Sequence, residues 1–305
     1  MFALNATLFI LANKKCWILR VVSINSAVNM VCLNDLMLQR QTNKNALIGR
    51  FFIPALLLLI SPLCHSDQHQ QTNCVSTHFD EKATIDYVID GDTVVLNDKR
   101  HIRLIGINTP ELSHNQKPSE DGAESARDSL IQILSHSTAI HLLYGQERQD
   151  RHGRTLAHLY LENGSNIQAK MLRQGLAMPL RIPPNLSLLD CYNAASQFDK
   201  NQKRGLWALS RYKTRDVFTL TGNERGFYFI SGLVNHATES RSALWITLEN
   251  DIALKISKED FNNFNVTQLH LLQGKYIEAN GWLYKRKGQL RMRIRHRMDL
   301  NVLTK

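Results

Sequence analysis

The stretch ATIDYVIDGDTVVLNDKRHIRLIGI, residues 83–107, contains three short runs rich in β-branched and apolar residues. The first two runs are separated by Asp90–Gly91 and the last two by Asn97–Asp98. Both pairs favour tight turns, because Gly, Asn and Asp tolerate the backbone conformations that such turns require. The stretch therefore predicts an antiparallel meander. Its strands are expected at 83–89, 93–96 and 101–107.

The residues that follow change from the two-residue period of strands to helical spacing. From Ser119 to Leu134 the apolar residues recur on one side of a helix, and acids near its start favour the helix dipole. A later helix is capped by Ser165 or Asn166 and ended by Gly175. Two more strands are expected at 138–144 and 155–161, and a last helix at about 187–203.

Five strands with a helix between the third and the fourth is the order of an OB-fold, a small β-barrel that often binds nucleic acid. The sequence therefore predicts a mainly β fold with helices, built on an OB-fold barrel, for a first domain at residues 82–212. Two of the predicted helices are appended to this barrel.

After a polar connector at 210–225, the same order of elements recurs. Strands are expected at 227–234, 244–248 and 252–256, a helical segment at 258–272, and strands at 276–283 and 289–296. We interpret this region, residues 226–305, as a second, smaller OB-like barrel, without inferring a repeat in the sequence itself.

A short apolar segment, FFIPALLLLISPLC at residues 51–64, follows the basic residues Arg40, Lys44 and Arg50. It is too short to span a bilayer comfortably. The basic flank, the apolar run and the polar residues after it match a secretory signal peptide, although a buried helix or an uncleaved anchor has the same composition.

We therefore expect residues 1–66 to comprise a signal peptide with an upstream extension, and the mature chain to begin at about residue 67. A signal normally starts near its basic flank, so translation is expected to begin at Met30 or Met37. The protein is expected to be secreted or periplasmic, and to meet a membrane only through an uncleaved leader.

Cleavage near Ser66 leaves only Cys74 and Cys191 in the mature chain. Two cysteines in an oxidising compartment favour one disulfide. Two buried free thiols remain the alternative, because spacing alone does not determine pairing.

The formal net charge of +10 is unevenly distributed. Residues 67–213 have equal numbers of basic and acidic side chains, whereas residues 214–305 have 14 basic and 9 acidic ones. Such a basic surface attracts polyanions, so nucleic acid and anionic lipid are both natural partners.

Candidate catalytic residues surround the first meander. Asp90 and Asp92 flank a tight turn, and Asn108, Thr109 and Glu111 add oxygen ligands just past the third strand. Hard oxygen ligands of this kind suit calcium. Two guanidinium groups able to clamp phosphate oxygens are also placed here, Arg103 inside the third strand and Arg154 in the loop before the fifth.

Each of these features also has a structural explanation. An Asp-Gly-Asp turn is a common hairpin connector, a strand arginine often forms a salt bridge, and a glutamate after a proline often caps a helix. Their joint order is more specific. The motifs DGDTV, IRLIGINTPE, DRHGRTLA, LRQGLA and RGLW follow one another between residues 90 and 207.

This order resembles the thermonuclease, or staphylococcal-nuclease-like, family over about residues 83–208. The resemblance implies a nuclease that cleaves DNA and RNA by in-line attack of water and leaves 3′-phosphate ends. It implies that Glu111 is the general base and that Arg103 and Arg154 contact the phosphate. It further implies Ca²⁺ bound by Asp92, Asn108 and the Thr109 carbonyl, with Asp90 in its outer shell.

The chain departs from the family pattern at three places. Asn108 replaces an aspartate, which predicts weaker calcium binding or a broader metal preference. His152 replaces a tyrosine in the loop before Arg154. Arg181 and Pro183 replace tyrosines that line the nucleotide pocket, so Arg181 is expected either to contact nucleic acid or to be a solvated loop residue.

The second domain contains a basic strand. In the segment LRMRIRHR, residues 290–297, arginines alternate with other residues and so lie on one face of a strand. We expect this face to bind nucleic acid, with Trp282 or Tyr284 stacking on bases. An edge strand protected by its charges is the alternative. The predicted binding residues are Lys285, Arg286, Lys287, Arg291, Arg293, Arg295 and Arg297.

The leading hypothesis is therefore a secreted or periplasmic endonuclease and exonuclease. The alternatives are a catalytically weak nucleic-acid-binding protein of the same fold and a cell-envelope protein that binds polyanions. No zinc cluster, phosphate-binding Gly-rich loop or Ser/His/Asp motif supports another hydrolase mechanism. No protein partner is inferred.

Overall fold

A computed structural model describes residues 12–13, 16–17, 74–113 and 118–303 of the chain. The chain divides into two compact units, residues 1–65 and 66–305. In the first unit, β1 (Ala12–Asn13) pairs with β2 (Cys16–Trp17) in antiparallel fashion. The expected signal peptide at 51–64 lies outside the described residues.

The second unit begins with a barrel of short strands and three helices. The strands are β3 (Glu81–Ala83), β4 (Ile85–Asp90), β5 (Thr93–Leu96), β6 (His101–Leu104), β7 (Ile107–Asn108), β8 (Ile140–Gln149), β9 (Thr155–Leu161) and β10 (Met178–Pro179). The helices are α1 (Ala123–Leu134), α2 (Ile167–Arg173) and α3 (Leu189–Gln202).

The pairing of these strands produces the predicted OB-fold barrel. The sheet order is β3-β8-β9-β6-β5-β4, in which β6 and β9 run parallel and the other neighbours run antiparallel. β3 and β4 are the two edge strands of this sheet, and only Thr84 separates them along the chain. Because they are consecutive parts of one segment, the sheet closes into a barrel. Helix α1 lies between the third and fourth barrel strands, as predicted.

The barrel encloses an apolar core to which α1 and α3 contribute. Leu104, Leu142 and Leu159 are fully buried on three neighbouring strands. Leu130 of α1 and Tyr192 of α3 belong to the same cluster. A disulfide between Cys74 and Cys191, with Cα atoms 5.7 Å apart, joins the segment before β3 to α3.

The remaining elements form the second domain. They are β11 (Arg215–Asp216), β12 (Gly226–Glu239), β13 (Ala243–Leu248), β14 (Ile252–Ser257), α4 (Val266–His270), β15 (Tyr276–Arg286), β16 (Gln289–Arg293) and β17 (Leu300–Val302).

The sheet of the second domain repeats the topology of the first. Its order is β11-β12-β13-β14-β16-β15-β17, and an additional pairing of β12 with β15 closes it. Strands β14 and β16 run parallel, as β6 and β9 do in the first barrel. The prediction of an OB-fold barrel with an additional, OB-like sheet domain is therefore confirmed.

Several predicted elements differ from the structure in their bounds. The helix expected from Ser119 begins at Ala123, because Gly122 adopts a left-handed conformation with φ of 90°. The helical segment expected at 258–272 divides into a 3₁₀ helix (Lys258–Asn263) and the short α4, because the side chain of Asn265 accepts a hydrogen bond from the Gln268 amide and starts a new helix. The strand expected at 289–296 ends at Arg293.

An apolar cluster joins the two barrels. Trp207, which follows α3, packs edge-to-face against Phe229 of β12 with ring centroids 5.7 Å apart, and Phe229 packs in the same manner against Phe227. Met178, Leu206 and Tyr212 are buried in the same cluster. Across the part of the chain that the structure describes, no helix combines the length and apolar character needed to cross a membrane.

Candidate active site

The turn between β4 and β5 places two carboxylates against the loop that follows β7. The Asp92 amide donates to Asp90 Oδ1 at 2.9 Å, which fixes the turn. Gly91 is required here, because a Cβ atom at this position would lie 2.7 Å from Ala126 Cβ and 2.8 Å from the Thr109 side chain. This close approach brings the turn, the loop after β7 and helix α1 together.

Asp92 connects these segments through both of its carboxylate oxygens. Its Oδ2 accepts a hydrogen bond from the Thr109 amide at 2.9 Å and lies 3.0 Å from Arg103 Nη2. Its Oδ1 accepts a hydrogen bond from Thr93 Oγ1 at 3.2 Å. Asp92 is buried, so this ion pair with Arg103 is shielded from solvent.

Arg103 occupies a strand position where a charged side chain is unusual, and the structure explains why it is tolerated. Besides the contact with Asp92, its guanidinium donates to the Leu104 carbonyl and, at 3.0 Å, to the Ile107 carbonyl. Only 12% of the side chain is exposed. The guanidinium is therefore held in one orientation beside the two carboxylates.

Glu111 is held through its backbone by Glu120, which lies just before α1. The Glu111 amide donates to Glu120 Oε2 at 3.2 Å, and the Glu120 amide donates to the Glu111 carbonyl at 2.9 Å. Glu120 Oε1 in turn accepts a hydrogen bond from Arg211, and the guanidinium of Arg211 lies 5.6 Å from the ring centroid of Tyr228 on β12. A series of contacts thus connects Glu111 to the second barrel.

The carboxyl group of Glu111 is surrounded by the other candidate catalytic charges. Desolvation, followed by the negative charge of Asp92, raises the pKa of Glu111 above its ordinary value, while Arg103 and Arg154 act to lower it. The structure therefore brings Arg103, Glu111 and Arg154 within electrostatic reach of one another. A carboxylate with a raised pKa is a better proton acceptor than an ordinary one.

Arg154 is oriented by its own loop. Asp150 Oδ1 accepts hydrogen bonds from the amides of His152, at 2.8 Å, and Arg154, at 3.0 Å, while Asp150 Oδ2 accepts one from Arg154 Nε at 2.8 Å. Gly153, with φ of 77°, allows the loop to turn back to β9. Within the described residues the terminal nitrogens of Arg154 make no hydrogen bond, so they are available to a ligand.

The donor set around Asp90 fits a hard divalent cation. Burial, followed by the negative charge of the neighbouring Asp92, raises the pKa of Asp90 to about 7. A nearby cation favours the ionised form of such a group. The neighbouring Asn108 and Thr109 are both buried, and β7 holds Asn108 opposite Met178 of β10. Over residues 74–113 and 118–303 no group of three or more His, Cys, Asp or Glu side chains is placed to hold a metal.

Arg181 does not lie at this site. The prediction that it contacts nucleic acid is therefore corrected. Its guanidinium pairs with Asp299 at 2.9 Å and also donates to Asn193 Oδ1. Only 11% of its side chain is exposed, because it is buried between α3 and the second barrel. Arg181 therefore joins the two domains.

The predicted basic strand in the second domain is divided by ion pairs. Leu290, Met292 and Ile294 are buried, which directs the alternating arginines outward as expected. However, Arg293 and Arg295 both pair with the buried Asp260, at 3.0 and 3.3 Å. Arg293 also pairs with Glu259, so two carboxylates balance the two guanidinium groups. These arginines therefore do not form the continuous cationic face that the alternation predicts.

The other members of the predicted basic set are exposed, except Arg291, which is partly buried. Lys285, Arg286 and Lys287 lie at the tip of the β15–β16 hairpin. Arg291 packs on Trp245, and Arg297 is exposed at the start of a 3₁₀ helix.

Sequence reasoning missed Glu120 and Arg211. Glu120 lies shortly after residues 114–117, which are outside the described part of the chain. Its contact with Arg211 joins positions 91 residues apart. No local pattern predicts such a contact. The basic character of Arg211 was the only signal in the sequence. It gains meaning only when the structure shows that the connector passes the candidate active site.

Comparisons with known proteins relate this part of the chain to nucleases. Residues 101–209 match the family described as Staphylococcal nuclease homologue, a range that includes Arg103, Glu111 and Arg154 but begins after Asp92. An uncharacterised endonuclease of Escherichia coli O157:H7 is 30% identical over 166 residues, which cover 52% of this chain and 90% of that protein.

Other relatives cover the same region. Endonuclease YncB of Bacillus subtilis is 29% identical over 52% of this chain and 80% of its own length, and the thermonuclease of Staphylococcus hyicus is 28% identical over 40% and 72%. Endonuclease YhcR of Bacillus subtilis is 27% identical over 53% of this chain, which spans only 14% of that much longer protein.

Proposed function

The chain belongs to the staphylococcal nuclease homologue family and is a nuclease, and from this premise we propose that it hydrolyses phosphodiester bonds of DNA and RNA in a calcium-dependent reaction. The products are proposed to end in 3′-phosphate. The observation that carries the proposal is that Arg103, Glu111 and Arg154, all within the range that matches the nuclease family, lie close enough for their charges to interact.

In the proposed mechanism Glu111 removes a proton from a water molecule, whose oxygen attacks the phosphorus atom. The bond from phosphorus to the 5′-oxygen breaks, and that oxygen leaves and takes up a proton. The phosphate remains on the 3′-oxygen of the preceding nucleotide. Glu111 suits this role because its raised pKa makes it a stronger base than an ordinary carboxylate.

The two arginines are proposed to stabilise the negative charge that accumulates on the phosphoryl oxygens. Asp92 and two backbone carbonyls hold Arg103 rigidly, so little reorganisation is needed when the phosphate binds. Arg154 uses only its Nε in the contact with Asp150, which leaves its terminal nitrogens for two phosphate oxygens.

Calcium is proposed to bind at Asp92, Asn108 and the carbonyl of Thr109, with Asp90 nearby. The support is the hard oxygen chemistry of this set and the close approach of Asp90 to Asp92, which together with burial raises the pKa of Asp90. When bound, the ion supplies electrostatic stabilisation of the phosphoryl oxygens. Asn108 provides one negative charge fewer than an aspartate would, so we propose that calcium binding is weak.

We also propose that the protein acts outside the cytoplasm, either secreted or in a periplasm. The segment at 51–64 has the composition of a signal peptide. The Cys74–Cys191 disulfide further supports an oxidising compartment, where such bonds persist.

The test is the release of acid-soluble nucleotides from single-stranded DNA and RNA by the purified chain, with calcium and with a chelator. Glu111→Gln is expected to reduce release at least about a hundredfold, the effect of losing a general base. Glu124→Gln, which changes an exposed glutamate of α1 outside the site, is the matched control. Analysis of the product ends tests the 3′-phosphate.

Binding of DNA without cleavage would contradict the proposal and favour a catalytically weak binding protein of the same fold. Full activity in the presence of the chelator would contradict the calcium requirement alone.

A further inference from the structure

The outer face of the second barrel carries an aromatic side chain surrounded by cations. Trp245 on β13 lies beneath the guanidinium of Arg291 on β16, with 4.9 Å between Arg291 Cζ and the ring centroid. Lys255 Nζ on β14 is 5.9 Å from the same centroid. We refer to Trp245, Lys255 and Arg291 as the Trp245 cluster.

The register of the sheet explains how three strands build this cluster. Trp245 pairs directly with Lys255 across β13 and β14. Arg291 pairs with Ala253, whose small side chain leaves room for the guanidinium to reach Trp245. The intervening residues Leu254 and Met292 are fully buried in the barrel core, so the cluster faces outward.

The charge around the Trp245 cluster is positive. Lys255 and Arg291 form no ion pair within the residues that the structure describes, in contrast to Arg293 and Arg295, which pair with Asp260 and Glu259. Arg291 Nε donates only to Gln289, a neutral residue of the same strand. The exposed Lys285, Arg286 and Lys287 extend the positive region along the β15–β16 hairpin, whose strands bring Tyr284 opposite Arg291.

We propose that the Trp245 cluster binds single-stranded nucleic acid, with a base stacked on Trp245 and phosphates contacting Lys255, Arg291 and the hairpin tip. This inference rests on the proposed function, because it assigns a second contact to the same substrate. Trp245, Lys255 and Arg291 are all partly exposed. A solvent-accessible aromatic ring beside unpaired cations is the combination that single-strand-binding surfaces use, since stacking tolerates any base and cations follow the backbone.

The cluster gives the second barrel a task that the active site does not perform. Two binding surfaces on one chain raise the effective concentration of a long substrate at each of them. A substrate held at the Trp245 cluster therefore dissociates more slowly between successive cleavage events.

The test uses the full chain with Glu111→Gln, in chelator, so that the oligonucleotide is not degraded. Fluorescence anisotropy then reports binding of a labelled single strand of about sixteen nucleotides, the upper site size of one OB-fold. Trp245→Ala, added to this background, is expected to weaken binding about tenfold, because one stacked base contributes this much. Arg291→Gln, added to the same background, is expected to weaken binding because it removes a phosphate contact. Arg291→Gln should also reduce the dependence of the binding constant on salt.

Lys275→Ala is the matched control, because it removes an exposed cation that lies just before β15 and outside the cluster. Its affinity is expected to equal that of the parent. Circular dichroism verifies folding, and if Trp245→Ala fails to fold, Arg291→Gln decides the matter. Affinities equal to the parent in both cluster variants would overturn the inference.

A parallel measurement of binding to phosphatidylglycerol-containing vesicles tests whether the cluster binds anionic lipid instead of nucleic acid. Cluster variants that lose vesicle binding but retain oligonucleotide binding would also overturn the inference. Cleavage by the unmodified chain is assayed separately, so that failure of the nuclease proposal and failure of the binding proposal are distinguishable.

Discussion

At the scale of single residues, the active site is organised by Asp92. One of its oxygens is shared between the Thr109 amide and Arg103, and the other accepts from Thr93. The charge of Asp92 is therefore already partly balanced by Arg103 before any cation binds. In the proposed calcium site the remaining negative charge comes from Asp90, so we expect the identity of residue 108 to influence the affinity for the ion.

Asn108→Asp is expected to tighten calcium binding about tenfold, because the number of charged ligands tunes calcium affinity. Isothermal titration calorimetry of the purified chain measures the change. Asn97→Asp, in an exposed turn of the same barrel, is the control and should leave the affinity unaltered. Equal affinities for the Asn108→Asp protein and the unmodified chain would show that residue 108 does not contribute to the ion site.

His158 determines part of the pH dependence of stability. It is buried, with Nδ1 2.7 Å from Tyr192 Oη, and burial lowers its pKa to about 3. The unfolded chain takes up this proton near the ordinary histidine pKa, whereas the folded protein does not. The contribution of His158 to the free energy of unfolding is therefore fully present at neutral pH and is lost as the pH falls from about 6.5 towards about 3.

The contribution of His158 to the free energy of unfolding is expected to fall by about 2 to 3 kcal/mol between about pH 6 and about pH 4. Urea unfolding of the unmodified chain and of His158→Gln at both pH values measures it. Because the glutamine does not titrate in this range, its stability should fall less steeply, while other groups contribute equally to both proteins. Parallel pH profiles would contradict the assignment.

At the scale of elements, strands were easier to predict than helices. β5 and β9 occur at the predicted residues, because alternation and turn pairs are local signals that the barrel preserves. The strand expected at 101–107 instead ends at Leu104, and Gly106, with φ of 83°, precedes the short β7. The segment at 258–272 has helical composition, but Asn265 caps a new helix within it.

The candidate site was predictable for a similar reason. Arg103, Glu111 and Arg154 lie in motifs whose order along the chain is specific, and the resemblance to the nuclease family is confirmed by the comparisons. The contacts that hold these residues were not predictable. Glu120 and Arg211 act through hydrogen bonds between distant segments, which local periodicity does not encode.

The connector between the barrels is expected to influence catalysis through Arg211. Arg211→Ala removes the partner of Glu120 and should loosen the backbone of Glu111, lowering kcat about tenfold with little change in KM, because a misplaced base affects the chemical step more than substrate binding. Steady-state cleavage of single-stranded DNA measures both constants.

Arg211→Lys, which retains the charge, should restore part of kcat, and Lys213→Ala, an exposed change two residues away, should have no effect. A normal kcat in Arg211→Ala would exclude this positioning role. A rise in KM alone would instead indicate that Arg211 contacts the substrate.

At the scale of the whole molecule, the two barrels are joined by both apolar and ionic contacts. The aromatic rings of Trp207, Phe227 and Phe229 pack together, and Arg181 pairs with Asp299 in a buried position 118 residues away. The sequence predicted both barrels but not this interface, since Arg181 was expected to face solvent or substrate. Composition cannot distinguish an interface arginine from a binding arginine when its partner is so distant.

This interface should make the two barrels unfold together, and Phe229 is the residue that tests it. Phe229 is 6% exposed and contacts rings from both barrels, so Phe229→Ala is expected to destabilise the second barrel by about 3 kcal/mol. Because the cavity lies at the interface, the coupling between barrels should weaken as well. A single calorimetric transition is then expected to separate into two.

Phe218→Ala is the control, because Phe218 is 65% exposed and its loss should leave the single transition unchanged. The fluorescence of Trp207, at the interface, should follow the first of the two transitions in Phe229→Ala. One transition at an unaltered temperature in this variant would mean that the barrels are held together by the Arg181–Asp299 pair and its neighbours rather than by the aromatic cluster.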